Sequence, residues 1–137
     1  IHTYAGIELR LKMHEIMLKQ GHEEETGKAK ITPGYNLPAK YILHTVGHII
    51  QWEASKQDED LLASCYKECL KLAADTGVES VAFCCLSTGV FRFPQQLAAE
   101  IAVSTVKNYI NEDDRIKKVI FNVFKDEDLR IYHTLIG

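Results

Sequence analysis

The sequence predicts an α/β fold with a mixed, mostly parallel sheet that is flanked by helices on both faces. Three apolar runs lead to this prediction, near residues 41–46, 81–86 and 119–124. Amphipathic helical stretches alternate with these runs, a pattern typical of parallel strands joined by right-handed crossovers. The 137 residues suffice for one hydrophobic core, so we expect a single domain over residues 1–137.

The middle apolar run predicts a buried central strand. Residues 81–86 read Val-Ala-Phe-Cys-Cys-Leu, an unbroken apolar run bounded by polar residues. Such a run is typical of a strand buried on both faces, with Cys84 and Cys85 pointing to opposite faces. Residues 28–35 resemble a short edge strand that enters a Pro-Gly turn.

Helices are expected between and around the strands. The spacing of apolar residues predicts helices over residues 2–19, 61–76, 95–108 and 129–135. Gly77 is placed to end the second helix, and Pro94 to open the third. The acidic residues at 58–60 and 126–128 suit the positive ends of the helices that follow them.

Composition excludes several classes of function. The chain is 46% hydrophobic and 26% charged, as is usual for a soluble globular protein. No apolar run approaches the ~20 residues that span a bilayer, so we expect no membrane association. A net charge of −3 with interspersed signs argues against nucleic-acid binding.

The four cysteines indicate a reducing compartment rather than a disulfide framework. They are Cys65, Cys69, Cys84 and Cys85, and free thiols of this kind favour a cytoplasmic location. Cys65 and Cys69 are four residues apart and could share a metal, but no acid or histidine cluster completes a site nearby. Burial as small apolar side chains is the favoured interpretation, and no metal ligand is assigned.

A small-residue segment follows the middle strand and precedes the third helix. It reads Ser87, Thr88, Gly89, Val90 and Phe91. A turn here would gather backbone N–H groups at the carboxyl end of a parallel sheet, where phosphates bind. An ordinary strand-to-helix connection explains the same residues equally well, so the segment alone leaves both interpretations open.

Longer stretches carry a family resemblance. Residues 27–38 read GKAKITPGYNLP, residues 41–47 YILHTVG, residues 87–94 STGVFRFP and residues 119–124 VIFNVF. In this order the chain resembles a macrodomain, the module that binds ADP-ribose. The opening residues IHTYAG further resemble the zinc-containing bacterial protein-ADP-ribose hydrolases.

The resemblance implies a ligand site. The diphosphate of ADP-ribose would lie against residues 87–91, with backbone N–H groups from Gly89 to Phe91 as donors. Phe91 would lie beside the distal ribose, Phe124 against the adenine ring, and Asn122 near the same pocket. Judged from the residues alone, packing in the hydrophobic core is the favoured interpretation of Phe124 over a contact with the ligand.

The resemblance also implies that part of the family pattern precedes the residue that matches Ile1. The family's first strands and its zinc-binding loop belong there, so no catalytic residue and no cofactor are assigned within this chain. Zinc is expected in a longer parent protein, of which this chain would be a fragment. A naturally truncated member is the other interpretation.

These implications lead to a functional expectation. The parent protein is expected to hydrolyse the bond between ADP-ribose and a modified protein side chain, with ADP-ribose or an ADP-ribosylated protein as partner. A non-catalytic nucleotide-binding module and an inactive remnant are the alternatives. Because the first strands of the family would cover apolar surface, we also expect such surface to be exposed and to drive homodimer formation.

Overall fold

Four strands and three helices form the described part of the protein. The computed structural model describes residues 28–45, 55–84, 94–123 and 125–136. In chain order the elements are β1 (Ala29–Pro33), β2 (Tyr41–Thr45), α1 (Lys56–Thr76), β3 (Ser80–Phe83), α2 (Gln95–Glu112), β4 (Lys118–Phe121) and α3 (Asp126–Ile136). The helix predicted for residues 2–19 lies outside the described residues.

The strands pair in both orientations. β1 and β2 form an antiparallel hairpin, in which Ala29 lies opposite Thr45 and Pro33 opposite Tyr41. β3 and β4 are parallel, with α2 between them in the chain, and Phe83 lies opposite Phe121. The α/β class and the parallel pairing of the last two strands are therefore confirmed.

The single sheet predicted from the sequence is divided in the structure. Within the described residues, β1–β2 and β3–β4 are separate two-stranded sheets without a ladder between them. The hairpin contacts α1, and its residues Ala29 and Leu43 pack against the main core. Side-chain packing, rather than a shared hydrogen-bond ladder, therefore joins the hairpin to the other elements.

One face of the β3–β4 pair packs against helices. Val81 and Phe83 are buried on this face. The ring centroids of Phe83 and of Tyr66 on α1 are 4.9 Å apart. Those of Phe121 and of Tyr132 on α3 are 5.0 Å apart. Tilted and stacked aromatic pairs at these distances add to the stabilisation that burial provides. The core therefore lies between this face and the helices.

The opposite face of the pair is open. Ala82 and Cys84 are exposed, and Ile120 keeps 45% of its surface accessible. The prediction that the middle strand is buried on both faces is therefore wrong for its described residues, and the strand ends at Phe83. The described helices cover only one side, so burial alternates with the two-residue period of the strand.

The ends of α1 follow from local hydrogen bonds. The helix begins before the predicted residue 61, because Ser55 and Asp58 form a capping box: Asp58 N donates to Ser55 Oγ at 3.2 Å, and Ser55 N donates to Asp58 Oδ2 at 2.9 Å. Gly77 follows the helix at a φ of 89°, which confirms its predicted role as the residue that ends α1.

α1 is the longest described helix, with 21 residues, and its buried stripe faces the core. None of the described helices combines the length and the apolar character that a bilayer crossing requires.

Candidate functional site

The candidate site lies at the carboxyl end of the parallel pair. β3 ends at Phe83 and α2 begins at Gln95, so the chain between them leaves the sheet at this end. Most of the predicted ligand residues lie in this connection or directly after β4. Ser87, Thr88, Gly89, Val90, Phe91 and Phe124 are outside the described residues, and their roles stay predictions.

Asn122 is the predicted ligand residue that the structure describes. Its backbone N donates to Phe83 O at 2.7 Å, which extends the parallel ladder one residue beyond β4. Its side chain is exposed. Asn122 therefore lies where ligands bind in parallel sheets, outside the carboxyl ends of the strands.

Cys84 is the neighbour of Asn122 that sequence reasoning missed. Since Phe83 lies opposite Phe121, the next residues along the two strands are Cys84 and Asn122. Both side chains are exposed on the open face of the pair. The sequence prediction treated Cys84 as part of a buried run. The side of the strand that the helices cover cannot be read from an unbroken apolar run.

The N-terminus of α2 differs from those of the other two helices. Its N-cap is Pro94, whose side chain makes no capping hydrogen bond, and its first turn has no acidic residue. By contrast, α1 has Asp58 and Glu59 in its first turn, and α3 has three acids there. No acidic side chain in the first turn of α2 therefore offsets the positive end of its helix dipole. Such an end suits an anionic group.

The two buried thiols of α1 are poorly suited to react. Cys65 and Cys69 are buried on α1. Burial is the main cause that raises the pKa of the Cys69 thiol to about 12, and the neighbouring Cys65, Cys84 and Glu68 contribute to the same rise. Across the described parts of the chain, no group of three or more histidine, cysteine and acidic side chains could hold a metal ion.

A second concave surface lies between β4 and α3. This groove has a volume of about 250 Å³ and is lined by Val119, Phe121, Val123, Leu129, Tyr132, His133 and Ile136. Leu129 and Ile136 at its rim are 55% and 53% exposed. The lining is almost entirely apolar and belongs to the face opposite Asn122. It therefore offers a surface for apolar contact rather than for a phosphate.

Comparison with known proteins identifies the family. The model of the Macro domain family matches residues 1–102, which is more than half of the chain. The protein therefore belongs to the macrodomain family.

The curated relatives are longer than this chain. A protein of Treponema medium named protein-ADP-ribose hydrolase is 55% identical over 137 residues, which cover 100% of this chain and 52% of the relative. The chain thus spans about half the length of that relative.

Solved structures share the fold. The Oceanobacillus iheyensis macrodomain with ADP superposes with a TM-score of 0.91 at 36% identity, covering 99% of this chain and 72% of that structure. The Trypanosoma brucei macrodomain in complex with ADP-ribose gives a TM-score of 0.75 at 34% identity, covering 82% of this chain and 47% of that structure.

Proposed function

We propose that this chain is the ADP-ribose-binding part of a protein-ADP-ribose hydrolase, which removes ADP-ribose from modified protein side chains. The similarity to a protein-ADP-ribose hydrolase and to macrodomains in complex with ADP and ADP-ribose supports this proposal. The observation that carries it is the N-terminus of α2, whose first turn has no acidic residue and which follows β3 in the chain.

The diphosphate is the part of the ligand for which these elements are best suited. The backbone N–H groups of Gly89, Val90 and Phe91 would donate to its oxygens, with Ser87 and Thr88 shaping the segment. The α2 dipole would add a favourable interaction of roughly 0.3–1 kcal/mol with each negative charge near its first turn. Charge-assisted hydrogen bonds would contribute on the order of 1.5–3 kcal/mol each.

The two ends of the ligand would lie against aromatic residues. Phe124, the third residue after the end of β4, would pack on the adenine ring, while Phe91 would lie beside the distal ribose. Asn122 sits at the carboxyl end of β4 and would line the pocket near the adenine. These contacts would fix the ligand's orientation, so that the scissile bond at the distal ribose is held in one place.

Catalysis needs groups that we do not assign within this chain. Hydrolysis adds water across the bond between the distal ribose carbon and the side chain, releasing ADP-ribose and the free side chain. Activation of that water is the chemistry that zinc would supply in the parent protein, and no described residue is assigned to hold the metal. The described residues do not form a cluster that fits zinc. The role proposed for this chain is to bind and orient ADP-ribose, as its similarity to macrodomains with ADP and ADP-ribose supports.

A binding module without turnover is the second candidate. The macrodomain structures with ADP and with ADP-ribose support ligand binding, which this candidate requires. The two candidates share the ligand and differ in whether it is released from a protein.

Two measurements test the proposal. Calorimetric titration of the 137-residue chain with ADP-ribose should give saturable binding, and adenosine, which lacks the diphosphate, should bind much more weakly. Incubation with a mono-ADP-ribosylated protein then separates the candidates, because only a hydrolase releases free ADP-ribose. Equal affinities for ADP-ribose and adenosine, or no binding of either, would contradict the proposed diphosphate site.

We further propose that a second copy of the chain covers the apolar groove. In the described residues β4 pairs only with β3, so its outer edge has no strand partner among them. Antiparallel pairing of two β4 strands about a two-fold axis would join two grooves. It would also bring exposed Lys117 and Lys118 of one copy close to exposed Asp126 and Glu127 of the other. The thiols of Cys69 and Cys84, which form no disulfide in the described part of the chain, support a cytoplasmic location as a further proposal.

Light scattering tests the dimer. The chain should change from monomer to dimer as its concentration rises, and Lys118→Glu should weaken the dimer by reversing the charge beside the partner's acids. Lys71→Glu, an equal charge change at an exposed position of α1, is the control. A monomer at all concentrations, or an equal effect of both variants, would overturn the proposed interface.

A further inference from the structure

Cys84 and Asn122 form an adjacent pair at the carboxyl ends of β3 and β4. The last assigned ladder residues are Phe83 and Phe121, which lie opposite each other. The hydrogen bond from Asn122 N to Phe83 O, 2.7 Å long, carries the ladder one residue further. Neighbouring strands in a sheet are about 4.8 Å apart, so the backbones of Cys84 and Asn122 are separated by about this distance.

The two side chains point to the same side of the sheet. Along β3, Val81 and Phe83 are buried, whereas Ala82 and Cys84 are exposed. Along β4, Ile120 and Asn122 are exposed in the same alternation. Because side chains two residues apart share a face, Cys84 and Asn122 project together from the open face.

We infer that Cys84 lines the ADP-ribose cleft beside Asn122 and that bound ligand shields its thiol from solvent. This inference rests on the proposed function and adds a residue to the site. Two placements of described residues support it together: the parallel ladder ends here, and the exposed Cys84 lies beside Asn122, a predicted ligand residue.

The chain contains internal reference thiols for this inference. Cys65 is 0% exposed and Cys69 is 2% exposed, whereas Cys84 is exposed. A buried thiol reacts slowly because it is neutral and inaccessible, and the pKa of Cys69 is raised to about 12. Alkylation of the folded protein should therefore modify Cys84 and leave Cys65 and Cys69 intact.

Iodoacetamide is a suitable probe. The Cys84 thiol loses its proton to the buffer, the thiolate sulfur attacks the methylene carbon of the reagent, and iodide leaves. The product carries a carbamidomethyl group on sulfur. This group would occupy space beside Asn122, so we expect the alkylated protein to bind ADP-ribose less tightly.

The experiment measures alkylation rates with and without ADP-ribose on the full 137-residue chain. The tryptic peptide of residues 72–92 contains Cys84 and Cys85, and tandem mass spectrometry distinguishes them. At ten times the dissociation constant about one protein in eleven is free of ligand. The rate at Cys84 should therefore fall roughly tenfold.

Ala82→Cys supplies a matched control. The introduced thiol lies on the same open face, two residues and about 6.6 Å further from the carboxyl end. Its alkylation rate should be nearly unchanged by ADP-ribose in the same sample that protects Cys84. Likewise, Cys84→Tyr should weaken binding at least tenfold, whereas Ala82→Tyr on the same face should leave it within twofold.

The outcomes separate this inference from the proposed function. If calorimetry detects ADP-ribose binding and the rate at Cys84 stays the same, the thiol is outside the cleft and the inference is wrong, while the proposed function stands. If the introduced thiol at position 82 is protected as strongly as Cys84, the shielding is not specific to the strand ends, and the inference also fails. If ADP-ribose does not bind at all, both are overturned.

Discussion

Arg115, on the turn after α2, donates a hydrogen bond from Nη1 to Oδ1 of Asp75 near the end of α1, with 3.1 Å between the two atoms. The same guanidinium binds Asp113, with 2.7 Å between Nη2 and Oδ2. Arg115 therefore links α1 to the turn that leads into β4. Its hydrogen bonds hold the pKa of Asp113 well below the ordinary value.

Arg115→Ala should lower stability slightly and change its dependence on pH. Because the folded pKa of Asp113 is depressed, its contribution is fully present above the ordinary pKa of 3.8 and is lost as the pH falls through the folded pKa. Urea unfolding between pH 2 and pH 7 should therefore show a weaker acid-dependent loss in the variant. Arg130→Ala, an exposed arginine without an ion-pair partner in the described residues, should retain the wild-type acid dependence. Equal profiles for both variants would show that the link contributes nothing.

Gly34→Ala should destabilise the β1–β2 hairpin. A Cβ atom at this position would lie 1.9 Å from the backbone oxygen of Ala39, a separation that requires the backbone to move. Gly34 N also donates to Lys40 O at 2.9 Å, so the movement would disturb the turn. We expect a loss of about 1–3 kcal/mol in the free energy of unfolding, measured by urea denaturation.

Gly77→Ala provides the comparison for this prediction. Nothing lies within 4 Å of a Cβ atom at Gly77, but its φ of 89° is in the left-handed region. Its expected cost of about 1–2 kcal/mol is therefore conformational rather than steric. Hydrogen exchange should locate the effect of Gly34→Ala in the hairpin and that of Gly77→Ala at the end of α1. Wild-type stability of Gly34→Ala would show that the turn relaxes freely.

Ser55→Ala tests the start of α1. The substitution removes the Ser55 Oγ that accepts from Asp58 N at 3.2 Å and leaves one N–H of the first turn without its cap. We expect a loss of about 1 kcal/mol in the free energy of unfolding. Ser104→Ala, at an exposed position inside α2, removes no cap and should be neutral or slightly stabilising. A Ser55→Ala protein as stable as the Ser104→Ala protein would argue against the capping box.

The sequence predicted this helix but not its first residue, for a local reason. The acids at 58–60 were interpreted as preceding the helix, whereas Asp58 lies inside it as the third residue and caps it together with Ser55. The spacing of Ser55 and Asp58 is the signal that could have located the start. The end was predicted correctly, because Gly77 provides the left-handed conformation without a steric penalty.

The pairing of strands and the exposure of their faces were harder to predict. Three apolar runs and the Pro-Gly turn after residues 28–33 located the four strands, but a run such as residues 81–84 does not reveal which face the helices cover. The proximity of Cys84 and Asn122 depends on register between strands that are far apart in sequence. Local propensity contains no information on register, so this part of the site required the structure.

Alkaline pH should destabilise the protein through Cys69. Burial raises the folded pKa of this thiol from 9.0 to about 12. A raised folded pKa means that stability is fully present below pH 9 and is lost as the pH rises, because the unfolded thiol ionises first. We expect a loss on the order of 1 kcal/mol between pH 9 and pH 10, since one pKa unit corresponds to about 1.4 kcal/mol. Urea unfolding of the wild type and of Cys69→Ala measures it. The variant should lose less stability over this range, and an equal loss would assign the effect to other groups.

Gly89→Val should abolish most of any ADP-ribose binding by the chain. In the proposed site the backbone N–H groups of Gly89 to Phe91 face the diphosphate, and glycine permits both unusual dihedral angles and a close approach of phosphate oxygens. A valine side chain would prevent the turn or fill the space of the phosphate. If two charge-assisted hydrogen bonds of roughly 1.5–3 kcal/mol each are lost, the affinity should fall about a hundredfold or more.

Ser87→Ala is the matched control for Gly89→Val, because Ser87 mainly shapes the segment in this proposal and its loss should cost much less. Calorimetric titration of the wild type and both variants with ADP-ribose provides the comparison, and circular dichroism checks that each variant is folded. The order of affinities should be wild type, then Ser87→Ala, then Gly89→Val by a wide margin. If Gly89→Val binds as tightly as the wild type, the diphosphate lies elsewhere, and residues 87–91 are only the connection between β3 and α2.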